Sequence, residues 1–500
     1  MSAWTEATVT AALAIATPAD SDAVVYANVS TDTRTLAEGD LFVALRGPNH
    51  DAHDHLMDAA SSGARGAVVE RIPDGAPVKL RYHVVPDTLE ALGRLGRFHR
   101  RRVGARVCAV AGSNGKTTTK ELLRVVLSTR YQVHATTANF NNLVGVPLTL
   151  LSCPAAAEVI VAEVGTNAPG EVARLGGIVE PDAAVVTNIS AEHLEGLGDL
   201  GGVLREETAL LPWLPAGAPA VVPDEPAVLA ERARTLADNV RVVGFGERAS
   251  AGLRGSELAL DASGRVRFRW AGHEVQLQLR GHHNARNALV ALAVGRAWNV
   301  DDEAAVAALT ELVPPKLRAE FHQYGGITVI ADCYNANPGS VHAAIELLTG
   351  VPRQGGRVAV LGTMLEMGAA SEALHRETAR DVAGREIDLI VATGAFATAF
   401  EPLAAELGER LLRVEDPLEA WDRLVPLLSG DEVVLLKGSR GVALERLLPR
   451  FQEIWGELHP HGEAFGSRAR STGTRASEVS EEHPHTSSHD GGPAPHALGG

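Results

Sequence analysis

Val107-Cys108-Ala109-Val110-Ala111-Gly112-Ser113-Asn114-Gly115-Lys116-Thr117-Thr118-Thr119 runs straight into Lys120-Glu121-Leu122-Leu123-Arg124-Val125-Val126-Leu127. A short apolar run, a glycine turn and a helix-periodic run in that order predict a buried strand, a loop and a helix. In such a loop the glycines let backbone N–H groups curl around phosphate oxygens, and the helix N-terminus adds a positive dipole end. Lys116 would bridge the terminal phosphates, and the Thr117 hydroxyl would hold Mg²⁺. A plain glycine turn is the bland alternative; Gly-Lys-Thr at a strand-to-helix junction argues against it. The spacing is shorter than GxxxxGK[ST], because position 110 is Val rather than Gly.

Outward from this loop, Val159 to Val164 and Ala183 to Thr187 are further apolar runs bounded by turn residues. They suit a parallel sheet covered on both faces. Before it, Asp40 to Leu45 and Ala64 to Val69 read as strands of a small α/β domain. After Val313-Pro314-Pro315 come strand candidates at Ile327 to Ala331, Val358 to Leu361, Leu389 to Ala392 and Val433 to Leu436. The expected fold is α/β in three domains: a small N-terminal domain (1–100), a central P-loop-type ATP-binding mononucleotide fold (101–313) and a C-terminal Rossmann-like domain (314–455). From about Gly456 the chain holds almost no aliphatic residues and is expected to be a disordered tail (456–500) without a catalytic role.

A formal charge of -16 argues against nucleic acid or an anionic membrane as the main partner, since either demands a basic surface. Three scattered cysteines, Cys108, Cys153 and Cys333, give neither a disulfide framework nor zinc-ligand spacing. With no signal-peptide pattern and no run of about 18 apolar residues, a cytoplasmic protein without stable membrane association is expected. Lysine stands only at 79, 116, 120, 316 and 437 in an otherwise arginine-rich chain, so Lys116 marks a place where a compact ammonium is needed. Glu163, closing an apolar run beside the phosphate loop, is placed to bind the Mg²⁺ of MgATP.

Gly112 to Thr118 resembles the loop of the Mur ligase family and of folylpolyglutamate synthases, and further matches follow in order over roughly residues 25 to 450. Ser30-Thr31-Asp32-Thr33-Arg34 with Gly39 to Gly47 is similar to the segment that holds the UDP part of the substrate, which implies that role for Ser30, Thr31 and Arg34. Thr136-Thr137-Ala138-Asn139-Phe140-Asn141-Asn142-Leu143-Val144-Gly145-Val146-Pro147 resembles the family's TxxNxNNxxGxP element, implying that Thr137, Asn139, Asn141 and Asn142 orient a substrate carboxylate. Thr187 to His193 resembles the segment whose histidine lies near a second Mg²⁺ and the acceptor carboxylate, a role carried to His193. The GxHNxxN resemblance of Gly281 to Asn287 implies adenine contact by Asn287. Arg318, Asp332 and Asn335 stand where resemblance puts the rest of the nucleotide, alongside Gly112, Ser113, Asn114, Gly115, Lys116, Thr117 and Thr118. Asp332 to Pro338, with Leu361 to Gly368, His375 and Lys437 to Gly441, is most similar to the branch that adds D-alanyl-D-alanine.

The resemblance implies an ATP- and Mg²⁺-dependent carbon–nitrogen ligase. Its substrates would be UDP-N-acetylmuramoyl-tripeptide and D-alanyl-D-alanine, in peptidoglycan synthesis, and it would act as a monomer. Another ligase of the superfamily, adding the third peptide residue or glutamate, and a catalytically inactive nucleotide-binding relative are the alternatives. One departure stands out. The family usually carries a carbamylated lysine in the helix after the histidine, and alignment places Glu207 there. Glu207 is therefore a catalytic candidate together with Lys116, Glu163 and His193; it would supply the carbamate's charge directly if the helix or a bridging water brought it to the metal, with a shifted register on Glu206 or an ordinary exposed glutamate as the alternatives.

Overall fold

The computed structural model describes residues 4–17, 24–261 and 263–456. Three sheets dominate them, and the tail expected from 456 lies, from 457 onward, outside the described residues. The first sheet is four-stranded and parallel, in the order Val29–Ser30, Leu41–Val43, Gly66–Val69, Arg81–Val84. The second is six-stranded and parallel, in the order Val133–Ala135, Val159–Glu163, Arg106–Ala111, Ala183–Val186, Pro219–Pro223, Asn239–Val243. The third runs Glu320–Tyr324, Ile327–Asp332, Val433–Lys437, Arg357–Leu361, Leu389–Thr393, Leu411–Val414, with only its first pair antiparallel.

The second sheet explains where chemistry can occur. Every residue of its strands Val159–Glu163 and Ala183–Val186 is buried, as the unbroken Val/Ile/Ala runs require when helices cover both faces. Strand Arg106–Ala111 lies between them, and the chain crosses to one side of it for Val133 and Val159 and to the other for Ala183. That reversal opens a crevice at the carboxyl end of Arg106–Ala111, where the phosphate loop begins. Helix Lys116–Ser128 leaves the loop and buries Leu122, Leu123, Val126 and Leu127, each side chain contributing about 1.5–3 kcal/mol relative to exposure.

A three-stranded antiparallel sheet, Ser256–Leu260, Arg265–Trp270 and His273–Arg280, was not expected. Its signal is present in Arg265-Val266-Arg267-Phe268-Arg269-Trp270, where apolar residues alternate with arginines and the apolar ones are buried. Val266, Phe268, Trp270, Val275, Leu277 and Leu279 join one core with helices Lys116–Ser128 and His283–Ala297, so this sheet backs the nucleotide side of the central unit.

Helix Thr88–Val103 ties the first sheet to the second. Arg100 donates to the carbonyls of Val179 (3.0 Å) and Glu180 (2.7 Å) and to Asp182 (2.8 Å). Glu180, with a left-handed backbone at φ 46°, accepts from Arg101 Nε at 2.8 Å and from Arg97 Nε at 2.8 Å. The Arg101 and Arg97 guanidiniums hold its carboxyl at about 2, against an ordinary 4.5. A depressed carboxyl pKa contributes stability above the unfolded value that is lost as pH falls through the folded one. The melting-temperature gap between the wild type and Glu180→Gln is therefore expected to be full above pH 4.5 and to shrink as pH falls towards 2; thermal melts across that range measure it.

Candidate active site

Gly112 and Gly115 take φ of +117° and +83°, which only glycine adopts without strain. A Cβ on Gly112 would also lie 2.3 Å from Thr187 Oγ1. The loop is fastened to the next strand end: Ser113 N donates to Asn188 O (3.0 Å), Asn114 N to Asn188 Oδ1 (2.7 Å), and Thr187 Oγ1 to Asn114 O (2.5 Å). The helix beginning at Lys116 has Gly115 as its N-cap and no side-chain cap, so its first N–H groups stay available for an anion.

Lys116 Nζ folds back on the loop, donating to Gly112 O and to Ser113 O (3.1 Å), with Glu192 Oε1 at 3.7 Å. Burial works against its charge, but the carboxylates of Glu192, Glu207 and Glu163 outweigh burial and raise its pKa above the ordinary lysine value. Glu192, buried beside it, is pushed up to about 8 by desolvation, opposed by Lys116 and reinforced by Glu207. No role was read for Glu192 in the sequence. The sequence marks it only as a carboxylate next to His193.

Glu163 is 2% exposed at its strand end. Its Oε1 accepts from Thr117 Oγ1 (3.2 Å) and Asn141 Nδ2 (3.1 Å), and its Oε2 is buried with no partner among the described residues. Arg318, from the third unit, donates Nη2 to Thr117 Oγ1 at 3.0 Å and stacks over the Tyr334 ring at 4.2 Å.

Two adjoining cavities meet at this loop. One, of about 420 Å³, is lined by Asn114, Gly115, Thr118, Asn287, Arg318, Asp332 and Asn335. The other, of about 270 Å³, is lined by Ser113, Lys116, Thr117, Asn139, Asn141, Asn142, Glu163, Glu192 and His193. Both touch Asn114, Gly115, Arg318, Tyr334 and Asn335, so they adjoin along a shared wall in the cleft between the second and third sheets. Buried Lys437 supports the cleft wall, reaching Asp332 Oδ2 at 3.1 Å and Asn335 O at 2.5 Å.

Some expected residues lie elsewhere. Ser30, Thr31 and Arg34 line neither cavity; Arg34 pairs with Asp32 at 2.6 Å on the first unit's surface. Thr137 also stays out of the cleft, and its neighbour Thr136 does the local work, accepting from Glu163 N at 3.0 Å. Asn142, although in the cleft wall, uses Oδ1 to accept from Gly145 N (2.8 Å) and Val144 N (3.1 Å).

Glu207 differs from the metal-facing position expected for it. It is fully buried beneath the loop, off the cleft wall, with Oε2 accepting from Gly112 N at 2.6 Å. Helix Leu200–Thr208 points it at the loop's underside, and burial raises its pKa. It is equally not an exposed helix glutamate. Glu206 takes no share in the loop: it accepts from Gly170 N (2.7 Å) and Val172 N (2.8 Å) at the start of the neighbouring helix Glu171–Val179.

Among known proteins, the Mur ligase middle domain matches residues 110–295, and the Mur ligase glutamate ligase domain matches residues 317–440. UDP-N-acetylmuramoyl-tripeptide–D-alanyl-D-alanine ligase of Bacillus subtilis is 33% identical, covering 87% of this chain and 94% of its own. The Escherichia coli enzyme of that name is 34% identical over 85% and 93% of the two chains. A crystal structure of MurF from Acinetobacter baumannii superposes with a TM-score of 0.82 at 32% identity, covering 91% of this chain and 99% of that one. MurF from Thermotoga maritima in complex with ADP gives 0.74 at 27% identity, covering 85% and 97%. With a loop, a carboxylate and a two-sheet cleft arranged as described, and with these relatives spanning nearly its whole described length, the chain belongs to the Mur ligase family, in its MurF group.

Proposed function

We infer that this chain joins D-alanyl-D-alanine to UDP-N-acetylmuramoyl-tripeptide at the expense of ATP, in peptidoglycan synthesis. The observation that carries the reading is the cavity in which Lys116, Thr117, Glu163 and His193 of the second unit meet Arg318 and Asn335 of the third. The names of the B. subtilis and E. coli relatives, and the ADP held by the T. maritima one, support it.

The terminal carboxylate of the tripeptide attacks the γ-phosphorus of ATP, ADP leaves, and an acyl phosphate forms. The amine of the dipeptide then attacks the acyl carbon, forming the C–N bond of a tetrahedral intermediate; the nitrogen gives up a proton to solvent, and collapse breaks the C–O bond and expels phosphate. The protein's share is positioning and charge neutralisation. We assign Gly112, Ser113, Asn114, Gly115, Lys116, Thr117 and Thr118 to the phosphates, and Asn287, Arg318, Asp332 and Asn335 to the base and ribose side of the larger cavity. Asn139 and Asn141 face the acceptor carboxylate, and Ser30, Thr31 and Arg34 serve the UDP end, away from the reacting carboxyl.

Thr117 and Glu163 are hard oxygen donors, and the orphaned Glu163 Oε2 fits a divalent cation. We assign Mg²⁺ to them, with His193 beside them; when bound it would neutralise the polyphosphate. Among the described residues no three His, Cys, Asp or Glu are grouped to hold a metal. A Mg²⁺ that draws its remaining ligands from phosphate and water needs no such group. Among the same residues no helix is long and apolar enough to cross a membrane. We place the reaction in the cytoplasm, where ATP is available.

The test is phosphate release by the purified protein with the UDP-tripeptide and ATP, comparing D-alanyl-D-alanine with single amino acids and with glutamate. Release that requires the dipeptide is expected. Release driven equally by glutamate or by a single amino acid would favour another ligase of the family.

A further inference from the structure

His193 and Glu366 are non-glycine residues with left-handed backbones, at φ 50° and 64°, and they meet across the boundary between the second and third units. Such conformations persist only where the surroundings hold them, and they concentrate at functional sites. His193 Nδ1 lies 2.6 Å from Glu366 Oε2; the histidine is 16% exposed and the glutamate 56%. His193 also lines the cleft beside Glu192 and Glu163, so an Nδ1 held by Glu366 leaves Nε2 to act there.

The loop that carries Glu366 is held in place from three sides. Met364 N donates to His375 Nε2 at 2.9 Å, which requires the proton of this buried ring to sit on Nδ1, 2.7 Å from Ser371 O. Leu365 N donates to Ser439 Oγ at 2.9 Å. Gly368, at φ +53°, lets the loop press so close that a Cβ there would lie 2.8 Å from Glu195 Cα. A second contact repeats the pattern at the phosphate loop: Asn114 and Asn337 exchange side-chain amide bonds of 3.1 and 2.9 Å between the same two units, and Asn337 is fully buried.

We propose that Glu366 is the positioning residue for His193: it accepts the Nδ1 proton, fixes the ring's tautomer and orientation, and makes docking of the third unit a condition for a competent histidine in the cleft. A carboxylate that holds one ring nitrogen sets what the other nitrogen can do. The proposal rests on the function argued above, and its test includes a readout independent of turnover.

The experiment uses the full chain, with variants Glu366→Ala, Glu366→Gln and His193→Gln. Histidine labelled with ¹⁵N reports the ring tautomer, the His193 signals being found by their loss in His193→Gln. The wild type is expected in the Nδ1–H form, and Glu366→Ala in the Nε2–H form that free imidazole prefers. In steady state, Glu366→Ala is expected to lose about 10–100-fold in kcat, as removal of such supporting partners does, with nucleotide-analogue affinity unchanged. Glu366→Gln, whose amide oxygen still accepts the Nδ1 proton, is expected to recover most of kcat and the wild-type tautomer. The proposal is overturned if Glu366→Ala keeps the wild-type tautomer or kcat, or if its nucleotide affinity falls in step with kcat. A wild type that shows the expected tautomer but no dipeptide-dependent phosphate release would sink the functional reading and leave the ring assignment standing.

Discussion

Replacing Lys116 with alanine is expected to lower kcat for dipeptide-dependent phosphate release by about 10³-fold, roughly 4 kcal/mol of transition-state stabilisation. The ammonium is bonded to the loop's own Gly112 and Ser113 carbonyls, and the neighbouring acidic groups Glu192, Glu207 and Glu163 favour its charged form against burial. With substrate present, phosphate oxygens replace the Gly112 and Ser113 carbonyls as its acceptors. Lys116→Arg is expected to stay low as well, because a planar fork does not fit where a compact ammonium sits. Thermal melts guard against a trivial cause, since removing Lys116 leaves Glu192 and Glu207 buried without their counter-charge. A folded Lys116→Ala that turns over within tenfold of the wild type would contradict the assignment.

Glu207→Ala is expected to cost about 10²-fold in kcat and about 1–3 kcal/mol of stability. Its Oε2 is the acceptor for the buried Gly112 N–H, and its charge bears on Lys116, so the substitution both frees the loop's first glycine and weakens the field that holds the lysine. The same geometry predicts that the rate is indifferent to carbon dioxide. As for the carbamylated lysine usual in the family, Lys120 is buried on Thr136 O at 2.7 Å and Glu121 at 2.9 Å, Lys437 is committed to Asp332 and Asn335, and Lys79 and Lys316 line neither cavity. Activity that collapses in carbon dioxide-depleted buffer and returns with bicarbonate would show this account of Glu207 to be wrong.

Residues whose role follows from local sequence were legible before the structure. The strand at 106–111 agrees to a residue with its apolar run, the helix begins at Lys116, several residues ahead of its periodic run, and Glu163 does close a buried strand. The strand candidates of the third unit agree similarly, at 327–332, 357–361, 389–393 and 433–437. What escaped depends on depth or on distant partners. Alignment placed Glu207 at a particular helix position, but only the packing of helix Leu200–Thr208 against the loop's underside turns it away from the cleft. Glu192 and Glu366 were visible as carboxylates, and their meaning comes from Lys116 and His193, each brought to them by the fold. The alternating run at Arg265–Trp270 carries a local strand signal, interrupted by arginines where the apolar runs of the parallel sheets are unbroken.

The central claim is that ATP phosphorylates the peptide's carboxyl before the dipeptide amine arrives, and the fate of one oxygen tests it most directly. With the tripeptide's terminal carboxylate labelled with ¹⁸O, turnover with D-alanyl-D-alanine is expected to release inorganic phosphate carrying one labelled oxygen, detected by mass spectrometry. Phosphate released without label while the amide product accumulates would contradict the account.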